Sequence, residues 1–171
     1  MGRCKVCDDS MVKIPEGKYK VQFVEYETKV LIAPKAICTF RIIQPGEYLE
    51  TKLSRHYNVL NHIGRPSING DFQSGRKSDL VREYFTIFGD NADIDNIDLN
   101  KYREIIVIGK VHTVTKSSDK KEIHQALQYS VISELMPIEQ DIISADRIEA
   151  DMDLAVQVDP KPWSPWSGTD E

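Results

Sequence analysis

The sequence predicts a mainly β domain with one inserted helix. Three observations indicate this class: five segments with strand-like apolar patterns, one segment with helical spacing between the third and fourth of them, and turn residues at the junctions. The chain has 171 residues, 40% of them hydrophobic, which suits one globular domain with polar ends.

The first strand is expected to be long and bent. It follows the turn Ile14–Gly17, and its apolar residues alternate as far as Phe23, after which Val24 changes the parity. One extra residue in a strand reverses the direction of every later side chain, so this change predicts a β-bulge.

The second and third strands are expected to form a hairpin. Apolar and polar residues alternate over Lys35–Ile42, Gln44–Glu47 supplies turn residues, and alternation returns over Tyr48–Val59. Together with the first strand, these segments predict a meander.

A loop and a helix are expected next. The segment Asn61–Lys77 is rich in glycine and polar residues. Ser78 then suits an N-cap, the apolar residues that follow have helical spacing, and Gly89 suits a helix end. The spacing therefore predicts a helix of about ten residues.

The last two strands are predicted over Ile105–Thr115 and Ala126–Leu135, with the charged turn Lys116–Lys121 between them. Gly109 indicates a bend or a close backbone approach in the fourth strand.

The order β-β-β-α-β-β matches the OB-fold, a five-stranded Greek-key barrel, although a five-stranded α+β sheet fits the same order. We therefore expect four regions: a flexible arm over 1–14, an OB-like domain over 15–136, a short helix at most over 137–150, and a disordered acidic tail rich in proline and tryptophan over 151–171.

Charge is distributed unevenly along the chain. The net charge is −5, but Glu134–Glu171 carries ten acidic and two basic residues, a balance of −8, which leaves +3 on the other 133 residues. An acidic tail on a mildly basic body is typical of proteins that bind nucleic acid.

Three segments also resemble a known group of proteins. Ile14–Val21, Lys35–Ile42 and Pro45–Tyr48 are similar to segments of small phage and mobile-element proteins encoded among replication and recombination functions. Some of those are single-stranded DNA-binding proteins. The resemblance spans about residues 14–135 and implies that this chain binds single-stranded DNA during replication or recombination.

The candidate binding residues come from the outward parity of the second and third strands and from the adjoining loop. Basic side chains there would follow the phosphates, and Tyr26, Tyr48 and His56 are candidates to stack on bases. The predicted nucleic-acid-binding residues are Lys35, Arg41, Tyr48, Lys52, His56, Arg76 and Lys77.

Signatures of catalysis and metal binding are absent from the sequence. It has no glycine-rich phosphate loop, no nucleophile elbow and no metal-binding histidine pair, and the aspartates over Asp90–Asp98 lack the glycine and glutamate of an EF-hand. Cys4 and Cys7 lack the second ligand pair that zinc usually needs. We expect a binding protein that is not an enzyme and has no metal and no cofactor.

The tail predicts a partner. Trp163 and Trp166 lie among prolines and acids, a composition typical of short motifs that dock into a pocket of another protein. We expect replication or recombination proteins as partners. The alternative is an OB-like module that binds a host or phage protein. The sequence does not decide whether the chain prefers DNA or RNA, or whether it forms oligomers.

The chain has no apolar run long enough to cross a bilayer and no signal-peptide pattern at Met1–Asp9. We therefore expect it in the cytoplasm, with no membrane partner.

Overall fold

The computed structural model describes residues 12–93 and 95–138. Most of the predicted arm, all but the first two residues of the predicted short helix, and the whole acidic tail lie outside this range. Trp163 and Trp166 belong to the part that is not described.

The prediction of a mainly β fold with one inserted helix is confirmed. Five antiparallel strands form one sheet in the order β3-β2-β1-β6-β7, and two short strands, β4 and β5, form a separate hairpin. The strands are β1 Gly17–Val30, β2 Pro34–Ile42, β3 Lys52–Asn58, β4 Asn61–His62, β5 Phe72–Gln73, β6 Ile106–Val114 and β7 Tyr129–Pro137.

The first strand bends where the sequence changes parity. Its register with β2 shifts between Phe23 and Glu25, which leaves Val24 as the extra residue of a β-bulge. Before the bulge, β1 also pairs with β6; after it, Thr28 donates its backbone N–H to the carbonyl oxygen of Ser67 at 2.9 Å. The bend therefore allows β1 to join two parts of the fold.

The helix α1, Asp79–Phe88, has the predicted ends. The Ser78 hydroxyl accepts a hydrogen bond from the backbone N–H of Val81 at 3.3 Å, and Gly89 follows the helix with a φ of 54°. Because that φ is positive, a residue without Cβ is favoured at this position. Short segments of 3-10 helix follow at Gly89–Asn91, Leu99–Glu104 and Gln125–Leu127.

The core lies between the inner face of the sheet and α1. An aromatic cluster fills its centre, where the Tyr102 ring lies 5.1 Å from Phe88 and 6.1 Å from Phe40 between centroids. Gly109 allows the close approach that the sequence suggested, since a Cβ there would lie 3.3 Å from side-chain atoms of Ile132 and of Val21.

The sheet is not a closed barrel, so that part of the predicted fold is corrected. Its order begins at β3 and ends at β7, and no backbone ladder joins these two strands among the described residues. The Glu83 carboxylate of α1 occupies the seam between them instead: it accepts the Leu135 backbone N–H of β7 at 3.3 Å and the Tyr57 hydroxyl of β3 at 2.7 Å.

Glu83 also forms a buried ion pair. The Arg55 guanidinium of β3 donates to both carboxylate oxygens, with an Nε–Oε2 distance of 3.3 Å. The side chains of Arg55 and Glu83 are only 11% and 6% exposed. We call Arg55, Tyr57 and Glu83 the seam cluster.

The third strand is shorter than predicted. It begins at Lys52, because residues 48–51 form a turn in which Glu50 has a φ of 66°. The loop that was predicted over 61–77 contains the β4–β5 hairpin.

Candidate functional site

The outward face of β2 and β3 brings together four of the predicted residues. In the antiparallel register Lys35 lies opposite Asn58, Ile37 opposite His56, and Arg41 opposite Lys52. Since paired residues point to the same side of a sheet, Lys35, Arg41, Lys52 and His56 share the face that points away from the core.

Arg41 is held in place on this face. Its Nη2 and Nε donate to Gln22 Oε1 at 2.7 and 3.2 Å, and its Nη1 lies 3.3 Å from Glu50 Oε2. Its side chain stays 43% exposed. The guanidinium is therefore oriented by neighbours and still accessible to an anion.

The other end of the face carries Lys35 and His56. Lys35 Nζ donates to Asn58 Oδ1 at 2.5 Å. Burial of part of the His56 ring, together with the positive charges of Lys35 and Arg55, lowers the pKa of His56. The His56 imidazole is therefore mostly neutral at pH 7, and its exposed ring suits stacking better than ion pairing.

The structure adds three lysines that sequence reasoning missed. Lys18 and Lys20 lie on the outward side of β1, and Lys110 of β6 pairs with Lys18. Gln22, two residues beyond Lys20, lies opposite Arg41. We call the outward set the basic surface: Lys18, Lys20, Arg41, Lys52 and Lys110.

The basic surface is open to ligands. Its four lysines are exposed, and none of them forms a salt bridge within residues 12–93 and 95–138. The far half of β1 is different, because Glu25 and Glu27 point outward there and Lys29 lies 3.9 Å from Glu27. Positive charge is therefore concentrated on the half of the face that contains Arg41 and Lys52.

The sequence contains a pattern that predicts the outward direction of the two lysines of β1. Lys18 and Lys20 alternate with Tyr19 and Val21, so their outward direction follows from parity. What the sequence does not contain is the pairing of β1 with β6, which places Lys110 beside them.

Two of the proposed aromatic residues lie elsewhere. Tyr26 is buried at 8% exposure and points into the core. Tyr48 belongs to the turn before β3, is half-buried, and packs its ring edge-on against Tyr19 at 6.5 Å. The outward face of β2 and β3, as far as it is described, therefore has His56 as its one aromatic ring.

The remaining two predicted residues lie before α1. Arg76 forms an exposed ion pair with Asp95 at 3.6 Å and lines a cavity of about 560 Å³ with Tyr26, Phe72 and Leu80. Lys77 is exposed in the adjoining turn. Neither belongs to β2 or β3, so the structure does not bring them onto the shared face.

Metal ligands do not cluster in the described ranges. No group of three or more His, Cys, Asp or Glu side chains is arranged to hold an ion among them. Cys4 and Cys7 lie outside those ranges, and Cys38 is buried in β2, where burial raises the pKa of its thiol. Within the same ranges, no helix has the length and apolar character needed to cross a membrane.

Comparison with known proteins gives no relative: no family model, no curated protein and no solved structure matches the chain. The resemblance to phage and mobile-element proteins therefore depends on the segments quoted above.

Proposed function

We propose that this chain is a single-stranded nucleic-acid-binding protein of the OB type that acts without catalysis. The observation that carries the proposal is the basic surface, where five cationic side chains from four strands lie on one face. Its lysines form no salt bridge within residues 12–93 and 95–138, and the one acid directly opposite any of them is Glu134, beside Lys110. A strand of nucleic acid presents one phosphate per nucleotide, so such a surface offers it several contacts at once.

The strand order supports this assignment. In the OB-fold, a partly open five-stranded Greek-key barrel, the face of the second and third strands binds oligonucleotides. The order β3-β2-β1-β6-β7, with α1 between the third and fourth long strands, corresponds to that topology, and β3 and β7 lie in contact along the seam. The open seam agrees with a barrel that is only partly closed.

Single strands suit the surface better than duplexes. A duplex is usually read by a helix or a ribbon in a groove, and α1, the one α-helix in the described ranges, packs its apolar face on the core. A curved sheet face with lysines and one stacking ring fits an unpaired strand instead.

The test is a fluorescence titration with a labelled single-stranded oligonucleotide at several salt concentrations. Phosphate binding releases counterions, so the logarithm of the affinity should fall linearly with the logarithm of the salt concentration, by about 0.7 for each phosphate contact. Removing Lys18 and Lys20 together, as Lys18→Ala with Lys20→Ala, should lower that slope by about 1.4.

A charge-matched control is available on the β6–β7 turn. Lys116→Ala with Lys121→Ala removes the same two charges from exposed positions outside the basic surface. The control should keep the slope of the unchanged protein. A slope that falls equally in both double variants would show non-specific attraction only, and a salt-independent affinity would refute the proposal.

The acidic tail and the biological setting belong to the proposal on sequence grounds. Trp163 and Trp166 would recruit replication or recombination proteins of a phage or mobile element in the cytoplasm. A chain without residues 151–171 should then bind the oligonucleotide and lose those partners.

A second function is favoured by a separate observation. Several large aliphatic side chains are exposed where β1 turns into β2, Ile32 at 84% being the most exposed. Such side chains suit a protein partner, as expected for an OB-like interaction module. The salt titration separates the two, since a module of this kind would not bind the oligonucleotide.

A further inference from the structure

The cavity of about 560 Å³ lies where β1, the β4–β5 hairpin and the start of α1 meet. Its size is within the roughly 300–1,000 Å³ that is usual for sites of small ligands. Tyr26 and Phe72 supply its aromatic walls, with their rings edge-on at 6.1 Å between centroids. Five aliphatic side chains complete the apolar lining: Leu60, Ile63, Leu80, Val81 and Ile97.

The hydroxyl of Tyr26 has no protein partner, although the residue is only 8% exposed. The hydroxyls of Tyr19 and Tyr57 both donate hydrogen bonds, whereas that of Tyr26 forms none with the groups of residues 12–93 and 95–138. It is not sealed inside the core as the Tyr84 hydroxyl is, and Tyr26 lines the cavity. Because buried polar groups are nearly always hydrogen-bonded, this hydroxyl is suited to a polar ligand in the cavity.

The Asp71 carboxylate lines the same cavity and is also unpaired. It takes part in no salt bridge within the described ranges. Burial, followed by the negative charges of Asp71 and Asp98, raises the pKa of the Tyr26 hydroxyl. The charge that disfavours a phenolate at this position also favours a cation there.

The other charges of the lining offset each other. Arg76 and Asp95 form an ion pair at 3.6 Å, and Lys77, next to Arg76, does not line the cavity. The lining therefore has a balance of −1, which comes from Asp71. An unpaired carboxylate beside aromatic rings is a combination that attracts organic cations.

We propose that this cavity binds an organic cation, a guanidinium or ammonium group carried on an aliphatic stem. The cationic group lies between the Asp71 carboxylate and the Tyr26 ring, and it donates a hydrogen bond to the Tyr26 hydroxyl oxygen. The methylene groups of the stem pack on the aliphatic lining, as those of lysine and arginine do on apolar surfaces.

Anionic occupants fit less well. A nucleic-acid phosphate and the acidic tail of this chain both bring the charge that Asp71 repels. Arg76 is already paired with Asp95, so it offers them little compensation. The cation site is also separate from the basic surface, since no residue belongs to both.

Isothermal titration calorimetry on the full chain tests this proposal with two probes. Agmatine carries the guanidinium on a small amine, and the peptide acetyl-glycyl-arginyl-glycinamide carries it as a side chain. At least one probe should bind with a dissociation constant below about 1 mM. The same peptide with uncharged citrulline in place of arginine should bind at least about tenfold more weakly. Tighter binding of the peptide than of agmatine would identify a polypeptide as the source of the cation, and the reverse would identify a small amine.

Substitutions in the cavity test its two polar groups. Asp71→Asn should raise the dissociation constant of the tighter probe at least about fivefold, and Tyr26→Phe should raise it about twofold to tenfold. Asp119→Asn is the matched control, because it removes the same charge from an exposed residue of the β6–β7 turn, and it should change nothing. Circular dichroism should show that all three variants stay folded.

Two results would overturn the proposal. The first is that neither probe binds, and the second is that Asp71→Asn weakens binding no more than Asp119→Asn, which would show non-specific attraction only. Both results leave the nucleic-acid proposal intact, because the oligonucleotide titrations measure a different surface.

Discussion

Two arginines on neighbouring strands show how differently this fold uses the same side chain. Arg55 of β3 points inward, is 11% exposed, and binds the buried Glu83 carboxylate. Arg41 of β2 points outward, is 43% exposed, and binds Gln22 and the exposed Glu50. Alternation along a strand sends one charge into the seam and the other to solvent.

This difference separates the charges that stabilise the folded chain from the charges that remain available to a ligand. In the seam cluster, the Glu83 carboxylate has lost its water and depends on its protein partners. Burial, followed by the charge of Glu83, raises the pKa of Tyr57 well above its usual value, so Tyr57 remains a hydroxyl donor to that carboxylate. On the basic surface, water already satisfies the lysines, and their removal costs the fold little.

The largest effect is expected from a substitution that breaks the seam cluster. Glu83→Ala leaves the Arg55 guanidinium buried and unpaired, and it removes the acceptor for the Tyr57 hydroxyl and the Leu135 backbone N–H. Loss of one partner of a buried ion pair costs about 3–5 kcal/mol, and we expect the free energy of unfolding in urea to fall by that amount.

Arg82→Ala serves as its control one residue earlier on α1. Arg82 pairs with Asp79 in an exposed i,i+3 bridge, with both side chains more than half exposed. Such pairs contribute about 0.2–1 kcal/mol. If Glu83→Ala costs no more than Arg82→Ala, the seam cluster does not hold β3 and β7 together.

Local signals in the sequence account for what could be predicted of the fold. Ser78 and Gly89 fix both ends of α1 through caps a few residues away, and Val24 marks the bulge by parity alone. The start of β3 was wrong because Tyr48 continues the alternation, although Glu50 adopts a turn conformation. The alternation of apolar and polar residues indicates which side chains can face a core, but it does not locate the first residue of a strand.

Long-range pairing explains what could not be predicted. An acid such as Glu83 gives no sign of burial in the sequence, because its partner Arg55 is 28 residues away. The parity of Lys35, Arg41, Lys52 and His56 correctly placed them on one face. Lys110 joins Lys18 only because β1 pairs with β6, and no local pattern records that contact.

The second prediction concerns substitutions on the outward face of β2 and β3, which should leave the inward-facing side chains and the fold intact. Replacing Lys35, Arg41 and Lys52 together with alanine should lower the salt slope of oligonucleotide binding by about 2, since three phosphate contacts contribute about 0.7 each. The free energy of unfolding should change by no more than about 0.5 kcal/mol for the exposed Lys52, and by about 0.5–1.5 kcal/mol for each side-chain hydrogen bond that the half-buried Lys35 and Arg41 lose. Paired salt titrations and urea unfolding measure both quantities. An unchanged salt slope would place the nucleic acid elsewhere, and a large loss of stability would mean that the two faces are not independent.

The smallest effect concerns His56, which lies on the outward face and responds to charge on both faces. Burial of part of its ring, then the charges of Lys35 and Arg55, lowers its pKa in the folded chain below the usual value near 6.5, while the charge of Glu27 acts in the opposite direction. The unfolded chain therefore takes up the proton first as pH falls. The contribution of neutral His56 to stability is complete above pH 6.5 and is lost as pH falls through the lowered pKa.

A bound phosphate beside His56 would reverse that trend for binding, because a negative charge favours the imidazolium. Oligonucleotide affinity should then rise as pH falls from 7.5 to 5.5 at constant ionic strength, by less than about tenfold, since one pKa unit corresponds to 1.36 kcal/mol. His56→Gln should remove the rise, whereas His112→Gln, which changes the histidine that lies 3.0 Å from Glu16, should keep it. Oligonucleotide titrations of the unchanged protein, His56→Gln and His112→Gln at three pH values measure this rise in affinity. If His56→Gln retains the full rise, no phosphate lies near His56, and the bound strand follows the basic surface without reaching that end of β3.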